Sequence, residues 1–255
     1  MNNASRRVPV PVALLFAMDI ALVAAPVIDY WSGSPFGRLR HLIDLDAENT
    51  LPTWYSSMQW FCAAFLFALL TIHAYRSRLR GLTAAAALAL ACCAFSIDEI
   101  AGIHEWLGHK SDALLSGGNR AATGLWSTGL WPFLLGIPVL LMLTVVVIRI
   151  RDIFVARSPR ALQLLVVGLV IMFTGALGVE LAANLVGTGS GNGGLVLSQL
   201  VLEEFMEMLG VSFIVWSAYD VLLAYGFELK MPVPTPRLEA GTIAVTSPVH
   251  ESQPT

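Results

Sequence analysis

Residues 82–109 read "LTAAAALALACCAFSIDEIAGIHEWLGH". The first sixteen carry no charge and, as a helix rising 1.5 Å per residue, travel about 24 Å into hydrocarbon. Asp98, Glu99, His104, Glu105 and His109 then arrive within twelve positions. That order settles the fold class and poses the functional question together. A charged side chain inside a bilayer costs about 2.5–3.5 kcal/mol even on the lenient insertion scale, so acids at the end of an apolar span read as functional before they read as packing.

The rest of the chain agrees with a membrane reading. It is 56% hydrophobic and only 13% charged, with mean hydropathy +0.70, where soluble proteins carry roughly a quarter charged residues. The apolar residues fall in six blocks, 9–30, 54–75, 82–107, 125–148, 161–186 and 195–226. The pattern predicts an all-α, polytopic integral membrane bundle of six transmembrane helices over residues 9–226. It is flanked by a short segment 1–8 and a Pro-, Ser- and Thr-rich tail, 227–255, that reads as disordered. No short alternating strands occur in the pattern, which excludes a transmembrane β-barrel.

Charge gives the orientation. Arg6, Arg7, Arg76, Arg78, Arg80, Arg149, Arg151, Arg157, Arg160, Lys230 and Arg237 fall on one side of the predicted bundle, and only Arg38, Arg40, Lys110 and Arg120 on the other. The positive-inside rule puts both termini in the cytoplasm. Trp31, Trp54, Trp60, Trp106, Trp126 and Trp131 lie near the predicted outer boundary, as an aromatic belt would. With two Lys against thirteen Arg, the composition points to a GC-rich bacterial genome and so to a multi-pass protein of the bacterial inner (plasma) membrane. The start of the chain resembles a signal peptide in its basic residues and apolar run, but Asp19 and Pro26 favour an uncleaved first span. Cys62, Cys92 and Cys93 all sit in spans, and no disulfide framework is expected.

Placed by depth, the polar residues converge. Asp98 in the third span, Glu180 and Asn184 in the fifth, and Glu203, Glu204 and Glu207 in the sixth all reach one outer layer, with Gln59 and Asp29 in the same half. On a continuous helix Asp98, Glu105 and His109 lie within about 40° of one another, while Glu99 and His104 point away. No Lys or Arg in the third, fifth or sixth span offsets the acids. They must therefore be protonated, hydrated or neutralised by a bound cation. Inward-facing carboxylates with one or two imidazoles in a helix bundle suit Fe, Mn or Zn. The expected ligands are Asp98, Glu105, His109, Glu180, Glu203 and Glu207, with Glu99, His104, Asn184 and Glu204 as supporting or alternative ligands. Asp19, near mid-membrane in the first span, reads equally as a proton relay or a hydrogen-bonded packing residue.

Known motifs narrow the chemistry by exclusion. "HEWLGH" is not HExxH, since its histidines are five apart and diverge by about 140°. The Glu-x-x-His pair of soluble di-iron bundles is missing, and so are a Ser/His/Asp arrangement, a Schiff-base lysine, a phosphate loop and a nucleic-acid patch. The leading expectation is an outward-facing metal site, in an oxidoreductase or hydrolase if the protein is an enzyme, acting on a lipid-like or other small-molecule substrate among membrane lipids. The alternatives are a transporter coupled to protons or cations through the same carboxylates, and a membrane subunit or scaffold of a larger complex with its acids facing outward. A short echo between "DEIAGIHEWLG" (98–108) and "EEFMEMLG" (203–210) raises an inverted repeat, but it extends to no other span.

Overall fold

The computed structural model describes residues 8–34, 37–115, 129–186 and 193–227, together with Gly117 and Leu125. In chain order it contains α1 (Val10–Trp31), a short 3-10 turn (Gly37–Leu42), α2 (Leu51–Arg76), α3 (Leu82–Ala101) and α4 (Ile103–Leu115). A π-helical turn (Pro132–Gly136) leads into α5 (Ile137–Arg157), and α6 (Pro159–Phe173) continues through a second π-helical stretch (Thr174–Val179) into α7 (Glu180–Val186); α8 (Gly193–Ala224) follows. Six helical runs among the described residues are long and apolar enough to cross a membrane: α1, α2, α3, Pro132–Arg157, Pro159–Asn184 and α8. There is no strand among the described residues, and the architecture is that of a membrane helical bundle.

Two boundaries differ from the sequence pattern. The third span stops at Ala101 rather than 107, and the fourth runs Pro132–Arg157 instead of 125–148, which places Arg149 and Arg151 on a helix. Ser158 alone links α5 to α6. Its hydroxyl accepts the Ala161 N–H at 3.1 Å as an N-cap and donates to Asp220 at 2.5 Å, and Pro159 supplies the fixed φ of a first helical turn. Asp220 also faces Arg160 at 3.9 Å, so the acid at this end of α8 meets the basic segment. Residues 1–7, Arg120, Trp126, the glycine-rich 187–192 and the tail 228–255 lie outside the described residues.

Lipid tails are as apolar as leucine, so helices in a bilayer associate through close packing and polar interlocks. Gly168 of α6 and Gly210 of α8 supply the first: a Cβ added to either would stand 2.6 Å from the other's carbonyl oxygen. Ser57 and Ser96 supply the second, each hydroxyl donating to the other's carbonyl at 2.7 and 2.9 Å across α2 and α3. α8 is the most buried span and α1 the least. The buried cluster of Phe67, Leu70, Leu88, Ile150, Leu165 and Ile214 fills the end of the bundle nearest Ser158 and the α2–α3 turn. The opposite end is open.

Candidate functional site

There the helices part around a cavity of about 580 Å³. Several walls set polar groups above apolar ones. α3 places Asp98 and Glu99 one turn beyond Phe95, and α2 places Thr53 two turns beyond Trp60. Trp131 stands above Val139, and Glu180 above Met172 and Phe173. α8 contributes Gln199, Glu203, Glu204 and Glu207; the segment before α2 adds Asp46 and Glu48, and α4 adds His104, Glu105 and His109. Among the described residues, nine carboxylates and two imidazoles thus surround one space that no Lys or Arg lines. Its floor is apolar, with the Trp60 and Phe95 rings 4.7 Å apart.

The rim is assembled by a break in the helix. Gly102 adopts the left-handed conformation at φ +54, its N–H closing on the Asp98 carbonyl at 2.8 Å, a C-terminal cap that favours glycine. A methyl group at Gly102 would overlap the Glu48 carboxylate, so only glycine leaves that acid its place. The Asp98 side chain then opens the next helix: one oxygen accepts the His104 N–H at 2.9 Å and the other meets His104 Nδ1 at 2.8 Å, which satisfies a donor that a helix N-terminus leaves free.

This break corrects the helical-wheel expectation for α3. Phase is lost at Gly102, so His104 lines the cavity instead of pointing away, and Asp98 is engaged with His104 rather than aligned with Glu105 and His109. Glu99, ahead of the break, also lines the cavity, because the lining face of α3 is wide enough to take both adjacent acids. Glu99 meets Ser56 and Trp60 of α2. Glu105 and His109 do line the cavity, from an exposed helix beyond the span, and Glu180, Glu203, Glu204 and Glu207 line it from within spans. Asn184 does not; its amide turns back to the Leu181 carbonyl at 3.5 Å. Asp19 is also elsewhere. It is fully buried, accepting from Tyr55 at 2.8 Å and Gln59 at 2.9 Å on one oxygen and from Ser212 at 2.7 Å on the other, so it ties α1 to α2 and α8. Gln59 thus serves Asp19, and Asp29 lies 3.8 Å from Arg40.

The contributors not anticipated include Asp46, Glu48, Trp60 and Trp131, besides Thr53 and Gln199. The first two belong to "DLDAEN" (44–49), whose acids just ahead of the Thr50 cap were the available signal. Trp60, expected in the aromatic belt, is only 3% exposed and forms the floor; Trp31, Trp54 and Trp106 are the exposed ones. Trp131 joins two walls, its ring 5.2 Å from that of His104 and its N–H donating to Glu180 at 3.0 Å.

Electrostatically the site is lopsided. The charges bearing on Glu207 are those of Glu204, Glu99, Glu203 and Glu180, all of one sign. His104 is a local counterweight. Burial pulls its imidazole down, but the hydrogen bond and charge of Asp98, followed by Glu105 and Glu99, outweigh it and hold the imidazole above its ordinary range. Oxygen donors with imidazole fit a divalent cation chemically. The side chains ring the space: among the described residues no three His, Cys, Asp or Glu close on a single metal position.

No curated protein and no solved structure matches the chain. Residues 14–223, which take in every wall of the cavity and stop short of the tail, match the family described as a domain of unknown function, DUF8692, and the chain belongs to that family.

Proposed function

We propose that the protein is a multi-pass protein of the bacterial inner membrane whose cavity opens outward and binds a divalent metal, Fe, Mn or Zn. The observation that carries this reading is the ring of nine carboxylates around one cavity, six of them on helices long and apolar enough to cross a membrane, with no Lys or Arg among the described residues of its lining. Like charges around one space repel, and those on the spans also cost energy to hold in a bilayer. A divalent cation offsets both. Glu203, Glu207 and Glu180 within the spans, and Glu105 and His109 at the rim, are the donors from which a cation would have to draw its ligands together, since no three of them close on one position as they stand. Glu99 and Glu204 border them, and the Asp98–His104 pair positions the rim.

The apolar floor supports a substrate with a hydrophobic part, lipid-like or otherwise, whose polar end meets the acid layer. With a Lewis-acidic or redox metal in place the reaction class is hydrolytic or oxidative. The dense apolar core beneath the floor favours access from one face and weighs against a transporter. Acids that line an internal space, instead of facing outward, weigh against a scaffold.

The test is metal content by plasma mass spectrometry, on protein purified without chelator from cells supplied with Fe, Mn and Zn. The wild type should carry near-stoichiometric metal, and a Glu203→Gln, Glu207→Gln variant should lose it while eluting as a folded protein. Folded wild type without metal would overturn the proposal.

A further inference from the structure

α4 has thirteen residues, about 20 Å of helix, too little to cross a bilayer. Its two faces are chemically opposed. At 100° per residue, Ile103, Trp106, Leu107, Lys110 and Leu114 fall in one sector about 100° wide. The four apolar members are 43%, 57%, 40% and 85% exposed in that order. The other face turns inward: His104, Glu105 and His109 line the cavity, Gly108 packs against Trp131, and Asp112, 3% exposed, accepts the Leu130 N–H at 3.1 Å.

Among the described residues the apolar face has no partner, yet it is continuous with a surface that does. Leu90, Ile97 and Ile100 form an exposed stripe along α3, 71%, 55% and 49% accessible, and on a membrane span that stripe faces lipid. The stripe passes through Ala101 and the Gly102 turn directly into Ile103. The polar member of the sector is also suited to a membrane surface: the Lys110 ammonium lies 5.8 Å from the centre of the Trp106 ring. A long basic chain and an indole side by side let the helix bury its apolar atoms while the charge reaches the headgroups.

We propose that α4 lies along the membrane surface with Ile103, Trp106, Leu107 and Leu114 seated in the leaflet nearest the cavity mouth, so that the protein's own bilayer is the partner of this face. The lipid then holds the helix down as the cover of the cavity, and through it His104, Glu105 and His109. This inference does not rest on the metal, and its test reads only where α4 sits.

Nitroxide labels are placed one at a time at Leu107→Cys, Leu114→Cys and Ala113→Cys in a Cys62→Ser, Cys92→Ala, Cys93→Ala background reconstituted in lipid nanodiscs. Leu90→Cys serves as the lipid reference and Ser77→Cys, in the exposed α2–α3 turn, as the aqueous one. Power saturation gives the ratio of accessibility to oxygen over accessibility to a water-soluble nickel chelate. The ratio at 107 and 114 should exceed that at 77 severalfold and approach that at 90, with 113, on the edge of the sector, in between. A ratio at 107 and 114 equal to that at 77 overturns the proposal in favour of a solvated helix. Protection from both reagents overturns it in favour of a second copy or another protein on this face.

Discussion

Replacing Gly102 by alanine tests the architecture of the rim, because two readings of the chain predict opposite signs. If α3 and α4 were one continuous helix, as the apolar and polar periodicity implies, alanine would stabilise it by about 0.5–1 kcal/mol, the usual helix-interior advantage over glycine. In the structure Gly102 sits at φ +54, where a side chain costs about 1–2 kcal/mol. Its missing Cβ is the space that the Glu48 carboxylate fills. That carboxylate ends a flexible side chain and can swing aside, so the steric part is small in energy but removes an acid from the cavity. The expected result is a loss of about 1–2 kcal/mol, a fall in melting temperature of about 2–8 °C for a chain of this size. Cation binding should weaken to about the level of Glu48→Ala. Melting is followed by size-exclusion of heated, detergent-solubilised aliquots for the wild type, both single variants and the double variant. In the double variant the backbone cost should persist, while cation affinity should fall no further than in Glu48→Ala alone. A Gly102→Ala protein that melts at or above the wild-type temperature and binds cation normally would refute the break and the role of Glu48 together.

Two further predictions concern stability. Asp19→Ala removes the buried acceptor shared by Tyr55, Gln59 and Ser212. Tyr55 and Gln59 retain the Leu15 carbonyl and the Ser212 hydroxyl, so the cost is that of about one unsatisfied donor, roughly 1–3 kcal/mol. A marked drop in melting temperature is expected, smaller for Asp19→Asn, which keeps one acceptor, with metal content unchanged in the Asn variant; a wild-type melting curve for Asp19→Ala would show that the cluster does not hold α1. In chelator-treated protein the Asp98–His104 pair gives a pH dependence of known sign. The imidazole is held above its unfolded value of about 6.5, so its contribution is complete below that pH and is lost as pH rises through the higher folded value. His104→Gln should flatten this alkaline-side decline in melting temperature, and an unchanged slope would place its origin elsewhere.

Much of the bundle was legible because length and hydropathy act along the chain. A helix of fixed rise must have about twenty apolar residues to cross hydrocarbon, and counting along it places an acid at a depth. That arithmetic brought Asp98, Glu180, Glu203 and Glu207 to one layer, and all four line one cavity. Rotation is less robust than depth. A single left-handed residue resets the phase of everything after it, and the space beside Gly102 is filled by Glu48, a residue from another segment. Nothing local distinguishes such a glycine from one tolerated inside a helix. The acids of 44–49 had no helical phase to place them, and Trp60 could not be told from a boundary tryptophan until its packing against Phe95 put it on the floor.

Both kinds of error fall at the open end of the bundle, and the reason is physical. Below the floor, close glycine contacts such as Gly168 against Gly210 and a dense apolar core fix the helices by packing, which follows from repetitive pattern. At the mouth the backbone leaves that pattern: α3 breaks at Gly102, and π-helical turns widen the runs at Pro132–Gly136 and Thr174–Val179. The second brings Gly175 so close to α8 that a Cβ there would stand 2.9 Å from the Glu203 carbonyl and 3.2 Å from Glu207 Cγ. Departures of this kind sacrifice regular hydrogen bonding and cluster where a site must be shaped. Here they surround the one region where the acids are gathered. The irregular backbone and the unbalanced charge are therefore two costs of the same end of the molecule, set against the stability of the regular core beneath it.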